Sequence, residues 1–165
     1  MATRSTTKKS HRTSPRKAAR STRPKNARTA RKPADSSGNG MADRPIRPGF
    51  VSHTEFASSD PAATREFLTA VLGYKFGTPM ETPTGPYHMW QHASGDTGGG
   101  IRATNASEPA GATPYVEVKD IDATYQKALK AGATQMFAPM EVPGGGRIAC
   151  VQVPGGPMVG FWGKS

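Results

Sequence analysis

The sequence predicts an α+β fold in which two βαβββ modules form curled mixed sheets around a cavity. Two stretches carry this prediction, His53 to Gly73 and Thr113 to Gly132, because they repeat one pattern. Each begins as a strand with alternating faces, reaches an Asp seven residues on, continues as an amphipathic helix and stops at Gly. A change of composition at residue 48 separates this duplicated body, residues 49–165, from a basic tail. Internal repetition is a stronger indication of fold than local propensity.

The first module is predicted at about residues 49–104 and opens with a strand at about Phe50–Ala57. Asp60 is a suitable N-cap, with Pro61 at the first helical position. Gly73 is expected to end the helix in a left-handed conformation. The helix carries an apolar stripe formed by Ala63, Phe67, Leu68, Val71 and Leu72. Three further strands are expected, at about Tyr74–Gly77, Pro86–His92 and Gly100–Ala103.

The second module, at about residues 112–163, repeats this plan. A strand at Pro114–Val118 leads to Asp120 or Asp122 as the helix cap, and Gly132 is expected to end the helix. Four residues of this helix should face inward: Ile121, Tyr125, Ala128 and Leu129. The strands that follow are predicted near Thr134–Phe137, Arg147–Val153 and Met158–Trp162.

Residues 1–48 form a segment of very different composition. They hold fourteen of the 22 Lys and Arg residues and only two Asp, whereas residues 49–165 have a net charge of −2. Between Ala2 and Gly40 there is no Val, Ile, Leu, Met or aromatic residue, so we expect residues 1–48 to be disordered. The segment is either a genuine extension or the result of a start assigned upstream of Met41.

The composition also bears on the compartment. The single cysteine, Cys150, cannot form an internal disulfide, and no apolar run approaches the length of a membrane span. The N-terminal residues lack the apolar centre of a secretory signal. We therefore expect a cytoplasmic protein that does not enter membranes.

The order and spacing of these segments resemble the vicinal oxygen chelate superfamily, which includes glyoxalase I, extradiol dioxygenases and bleomycin-resistance proteins. Residues 60–77 are similar to the first helix and turn of that family, and residues 114–133 to the start of its second module. Residues 142–162 resemble the later part of its second module, including a final hairpin in which Val153 stands where the family usually has Asp. The resemblance covers residues 48–163 and implies the fold described above.

The resemblance also implies a divalent metal held by four side chains, one from the first and one from the last strand of each module. His53, seven residues before Asp60, stands where the first ligand is expected. The other three positions fall at Thr113 and near Gly100 and Gly160, and glycine offers a metal no side chain. We therefore expect the four-ligand centre to be missing and no resident cofactor to be bound.

An unconventional metal site is the alternative. His53 and Glu55 share a strand face at about 6–7 Å, so a divalent metal could use both. A third ligand would come from Glu117, His88 or His92. Two other roles stay open for His53: a hydrogen-bonded structural histidine, or a general base.

Aromatic and apolar residues on the predicted strands favour a small-molecule pocket. One face of the strand at Pro86–His92 should line it, and Tyr87, Met89 and Gln91 occupy the opposite face from Trp90. Arg147 either pairs with an anionic substrate or is solvated. The candidate cavity residues are His53, Glu55, His88, Trp90, His92, Tyr115, Glu117, Arg147, Met158 and Trp162.

Three functions follow from these observations. The first is a small-molecule-binding protein of the glyoxalase and bleomycin-resistance type without the four-ligand metal site. The alternative is a metal-dependent lyase or dioxygenase that uses His53 and Glu55. The third is nonspecific nucleic-acid binding through residues 1–48, whose cations suit phosphate backbones. A homodimer is expected by analogy with the family.

Overall fold

A computed structural model of the chain describes residues 44–143 and 145–164. The disorder predicted for the basic tail falls mostly outside these residues. Arg44 and Arg47, which the sequence assigns to the tail, contact the sheet through Glu117. Among the described residues, no helix is long and apolar enough to cross a membrane.

The chain forms two helices and one eight-stranded curled sheet, in the predicted order βαβββ twice. The first module contains β1 (Val51–Ser58), α1 (Pro61–Leu72), β2 (Met80–Thr82), β3 (Gly85–Gln91) and β4 (Gly98–Ala103). The second contains β5 (Gly111–Glu117), α2 (Ile121–Lys130), β6 (Thr134–Glu141), β7 (Arg147–Gln152) and β8 (Met158–Gly163). The strand order is β2-β3-β4-β1-β5-β8-β7-β6. The predicted α+β fold is therefore confirmed.

The two modules meet at the centre of the sheet, where β1 and β5 run antiparallel. His53 lies opposite Tyr115 and Glu55 opposite Thr113. Each of these strands has a parallel neighbour, β4 beside β1 and β8 beside β5. Because the modules are related by this arrangement, equivalent residues of the two repeats lie close together at the middle of the sheet.

Helix α1 begins and ends where the sequence predicts, but little of its apolar stripe is buried. The Asp60 side chain accepts a hydrogen bond from the Ala63 amide at 3.0 Å, and Gly73 closes the helix at φ 69°. Leu68 is buried, whereas Phe67 and Val71 remain 62% and 61% exposed. Polar contacts help to hold the helix instead, since the Thr64 hydroxyl lies 2.7 Å from the Ser58 hydroxyl.

Helix α2 packs much more closely. Asp120 provides its N-cap, and Ile121 and Tyr125 are buried against Ala149 and Val151 of β7. Ala131, and not Gly132, is the C-cap residue, although Gly132 follows with φ 92°. This face is the main apolar core of the described domain.

The strands differ from prediction mainly at their ends. At Tyr74–Gly77 the structure has only an isolated bridge between Phe76 and Trp90, and β2 begins at Met80. Strand β6 continues to Glu141, with irregular pairing to β7 that accommodates Pro139. The helices cover one face of the sheet, here the helix face, and the opposite side is the concave face.

Candidate functional site

The concave face brings together side chains from four neighbouring strands. Strand alternation and the pairing register put His53 and Glu55 of β1 on this face with Tyr87 of β3, Arg102 of β4 and Tyr115 of β5. We call these five residues the concave cluster. All five are buried or half-buried.

His53 lies between the two tyrosines of the concave cluster. Its Nε2 atom is 2.7 Å from the Tyr87 hydroxyl oxygen, and the two rings are nearly parallel with centroids 6.3 Å apart. The ring of Tyr115 meets His53 edge-on at 5.7 Å. Burial lowers the pKa of His53 from 6.5 to about 4, so the imidazole is neutral near pH 7.

An ionic chain continues from this aromatic group. Arg102 donates from Nε to Glu55 Oε1 at 2.9 Å, and its two Nη atoms bind the carboxylate of Glu108 at 2.6 and 2.5 Å. Burial, followed by the charge of Glu55, raises the pKa of both Tyr87 and Tyr115. Between His53 Nε2 and the Tyr87 hydroxyl, the imidazole tautomer determines which group donates.

Two glycines make room for the tyrosine rings. Gly100 is the parallel neighbour of Glu55, and Gly160 is the parallel neighbour of Tyr115. A Cβ atom on Gly100 would overlap the hydroxyl end of Tyr87, and one on Gly160 would overlap the ring of Tyr115. These are two of the four positions where the sequence resemblance expects metal ligands, and here the tyrosines occupy the space.

The residues present do not fit a four-ligand metal centre. Gly100 and Gly160 supply no donor, and any larger side chain there would collide with a tyrosine. His53 and Glu55, the pair expected in an unconventional site, are engaged by Tyr87 and Arg102. Within residues 44–143 and 145–164, no three His, Cys, Asp or Glu side chains are grouped to hold a metal ion.

Glu117 lies on the concave face but at its end. It is fully buried, forms an ion pair with Arg44, and accepts a hydrogen bond from the Arg47 amide at 2.7 Å. Burial opposes its ionisation, yet these hydrogen bonds outweigh burial and hold its pKa below the ordinary value. Its parallel neighbour Trp162 is also buried, and Met158 lies further along β8 on the same face.

His88, His92 and Trp90 lie away from the concave cluster. His88 and Trp90 point to the helix face, where His88 Nδ1 is 3.3 Å from Arg65 of α1 and Trp90 stacks on Tyr74. His92 lies in the loop after β3, with Nδ1 2.9 Å from the Ser94 hydroxyl. The structure therefore brings none of these three to His53.

Arg147 and Cys150 also have defined surroundings. Arg147 binds Asp122 of α2 at 2.5 and 3.0 Å, which holds this guanidinium at the helix face. Cys150 is buried beside Gly160, and burial raises its pKa to about 11, so the thiol is protonated near neutral pH.

An open depression of about 360 Å³ lies at the start of α2, away from the concave cluster. Among its lining residues, Asp120 is engaged in capping the helix and Glu117 in pairing with Arg44. The concave cluster, where titratable groups converge, is therefore the stronger candidate site.

Sequence reasoning missed Arg102 and Glu108 as members of the site. Arg102 follows the Gly-rich start of β4, and Glu108 lies in the loop between the modules. The alternation of β4 could have indicated that Arg102 faces the same way as Gly100. No sequence signal pointed to Glu108, because its position depends on how the loop folds back.

Comparisons with solved structures show the fold. A hypothetical protein from Bacillus halodurans C-125 has a TM-score of 0.58 at 15% identity, over 72% of this chain and 96% of that one. Methylmalonyl-CoA epimerase from Mycobacterium tuberculosis has a TM-score of 0.56 at 13% identity, over 73% and 89%. The Streptomyces coelicolor epimerase in complex with 2-nitronate-propionyl-CoA scores 0.54 at 16% identity, over 72% and 99%.

The sequence comparisons identify a family but no individual curated relative. A search of curated proteins finds no match to this chain. The family model described as Glyoxalase/Bleomycin resistance protein/Dioxygenase superfamily matches residues 51–161, which is nearly the whole duplicated body. The chain therefore belongs to the glyoxalase, bleomycin resistance protein and dioxygenase superfamily.

Proposed function

We propose that this protein binds a small organic molecule on the concave face of its sheet without the help of a metal ion. The observation that carries the proposal is the pairing of Tyr87 with Gly100 and of Tyr115 with Gly160. These pairs put phenol rings where the family's metal ligands are expected.

The surroundings of the concave cluster suit such a ligand. Small-molecule sites combine apolar or aromatic walls with a few fixed polar groups. Tyr87 and Tyr115 supply aromatic surface, while His53, Glu55 and Arg102 supply the polar groups. Among the fold neighbours, several epimerase structures contain acyl-CoA compounds, which supports an organic ligand in this chain as well.

The proposal is tested by placing a charge on the concave face, two residues along β3 from Tyr87. Met89 lies on β3 with its side chain on the concave face and is 40% exposed. The full chain is screened by thermal shift with aromatic carboxylates, aromatic amides and acyl-CoA esters, because a ligand of the native state raises Tm. Met89→Glu should weaken the shift of any hit, because a ligand that covers this position would have to remove the new carboxylate from water.

Val71→Glu is the matched control. Val71 is 61% exposed on α1, across the sheet from the concave face, so this variant should respond to hits as the wild type does. Hits whose shift is unchanged in Met89→Glu would contradict binding on the concave face. Hits that require added Zn²⁺, Ni²⁺, Mn²⁺ or Fe²⁺ and are lost in Glu55→Gln would favour a metal-dependent lyase or dioxygenase instead.

A second function is favoured by the charge of residues 1–48. Fourteen Lys and Arg against two Asp favour nonspecific binding to nucleic-acid phosphates, independently of the concave face. We expect the full chain to bind duplex DNA with an affinity that falls roughly 10⁴-fold per tenfold rise in salt if about five phosphates are contacted. Replacing the Lys and Arg residues before Met41 with Gln should remove this binding. Equal retention of both proteins would contradict the proposal.

A further inference from the structure

Arg102 holds two carboxylates at once at the edge of the concave cluster. Its Nε contacts Glu55 at 2.9 Å, while Nη1 and Nη2 form a two-point contact with Glu108 at 2.6 and 2.5 Å. The Arg102 and Glu108 side chains are only 18% and 14% exposed. A planar fork facing a carboxylate is the arrangement with which arginine recognises carboxylate groups in ligands.

The two carboxylates reach Arg102 from very different supports. Glu55 lies in the middle of β1 and is paired on both sides by β4 and β5. Glu108 lies in the loop 104–110 between β4 and β5, where all residues except Thr104 and Glu108 are exposed. Its local contacts are a backbone bond to the Asn105 carbonyl at 3.0 Å and a bond from the Asn105 amide at 3.2 Å. Glu108 is therefore the more easily displaced of the two.

The concave face that carries the fork also carries aromatic side chains. Tyr87 and Tyr115 share the concave face with Arg102, whose charge acts to lower the pKa of both phenols against the larger effect of burial. The ring of His53 stands between those tyrosines. A ligand with a carboxylate on a flat or apolar body could bind the Arg102 guanidinium through the carboxylate and contact the aromatic rings through the rest of the molecule.

We propose that Arg102 anchors the carboxylate of a ligand, and that Glu108 occupies the anchor as an internal substitute until the ligand displaces it. This inference rests on the proposed small-molecule site and adds its ligand class, organic carboxylates. The exchange keeps the charge balanced, because one carboxylate leaves Arg102 as another arrives. Glu55 remains bound through Nε throughout.

The internal carboxylate has a measurable consequence. A tethered group competes with an effective concentration in the millimolar range or above, so it weakens the binding of a free carboxylate. Glu108→Gln keeps the size of the side chain and removes its charge. This variant should bind carboxylates at least about tenfold more tightly than the wild type, with no gain for neutral analogues.

The test uses benzoate and benzamide, two flat probes of equal size that differ in charge. The full chain is titrated with each while the methyl signal of Met89 reports contact at the concave face by NMR. Wild type, Glu108→Gln and the control Glu66→Gln are compared, because Glu66 is an exposed residue of α1. We expect Glu108→Gln alone to gain affinity, and for benzoate alone.

The other outcomes each contradict a different part of the proposal. Equal benzoate affinity in Glu108→Gln and the wild type would show that Glu108 does not compete, and an equal gain for benzamide would remove the carboxylate class. In both cases concave-face binding, and with it the proposed function, would stand. If neither probe moved the Met89 signal in any variant, the carboxylate anchor would be rejected, and failure of the thermal-shift screen as well would reject the proposed function.

Arg102→Gln provides an independent check through a different property. The full chain is examined by hydrogen exchange, which measures the protection of the Asn105 amide bound to Glu108. In Glu108→Gln the Asn105 amide should lose most of this protection, while the amides of β1 and β5 keep theirs. Arg102→Gln, if it folds, should show the same loss at Asn105. Unchanged protection of the Asn105 amide in Glu108→Gln would contradict a role for the Arg102–Glu108 contact in holding the loop 104–110 in place.

Discussion

His53 shows how burial alone can decide the chemistry of a residue. On sequence grounds it could have been a metal ligand, a general base or a structural histidine. In the structure its Nε2 atom contacts a phenol, and burial lowers its pKa to about 4. A histidine in this state is a neutral hydrogen-bonding group at physiological pH, and protonating it requires either acid or unfolding.

This state makes stability depend on pH. The unfolded chain binds a proton at His53 near pH 6.5, whereas the native chain does so only near 4, so the stabilisation is complete above 6.5 and is lost as pH falls towards 4. Between about pH 7.5 and about pH 5 the free energy of unfolding should fall by about 2 kcal/mol through this residue. Urea unfolding at several pH values measures the effect. The same dependence in His53→Gln would refute the assignment.

The glycines beside the tyrosines are a second test at this scale. Gly160→Ala should lower the free energy of unfolding by about 2 kcal/mol, because its methyl group would overlap the base of the Tyr115 ring, which cannot move away easily. Gly100→Ala should cost less, since it meets only the outer end of Tyr87. Chemical denaturation of the single variants gives both values.

Gly77→Ala is the control, since nothing lies within 4 Å of a Cβ atom there. It should change stability by no more than about 0.5 kcal/mol. The double variant Gly160→Ala/Tyr115→Ala should be less destabilised than the sum of its parts. Simple additivity would mean that the ring and the glycine are not coupled.

At the scale of elements, the two helices are equivalent in the repeat but not in their packing. Tyr125 of α2 is 4% exposed in the core, whereas Phe67 of α1 is 62% exposed. Tyr125→Ala should therefore cost about 3 kcal/mol, and Phe67→Ala less than about 1 kcal/mol. Urea denaturation of the two aromatic-to-alanine variants compares the helices directly. Equal losses would mean that α1 is covered in solution.

The sequence predicted the helices well because their ends depend on local chemistry. Asp60, Gly73 and Asp120 act as caps through bonds to residues a few positions away. The burial of α1 could not be predicted in this way. An apolar stripe shows which face could be buried, but on the facing side of β1 three of the four residues, Ser52, Thr54 and Ser58, are small or polar and only Phe56 is apolar.

For the whole molecule, the repeat and its family resemblance were enough to predict the fold. They also indicated His53, Glu55 and Tyr115 as candidate cavity residues, and the structure places these on the two central strands of the sheet. They did not decide which face of β3 lies on the concave side, and both faces of that strand carry aromatic residues. Arg102 and Glu108 were missed because their contact joins a strand to a loop, and such a contact leaves no periodic trace in the sequence. The homodimer expected from the family stays a prediction.

The central claim is that two tyrosines occupy the place of the family's metal. Calorimetric titration of the metal-free full chain with Zn²⁺, Ni²⁺, Mn²⁺ and Fe²⁺ tests it most directly, with the double variant His53→Ala/Glu55→Gln as reference. We predict no saturable binding beyond that of the reference, because His53 and Glu55 are engaged by Tyr87 and Arg102. Binding of one metal ion per chain that disappears in the double variant would contradict the claim.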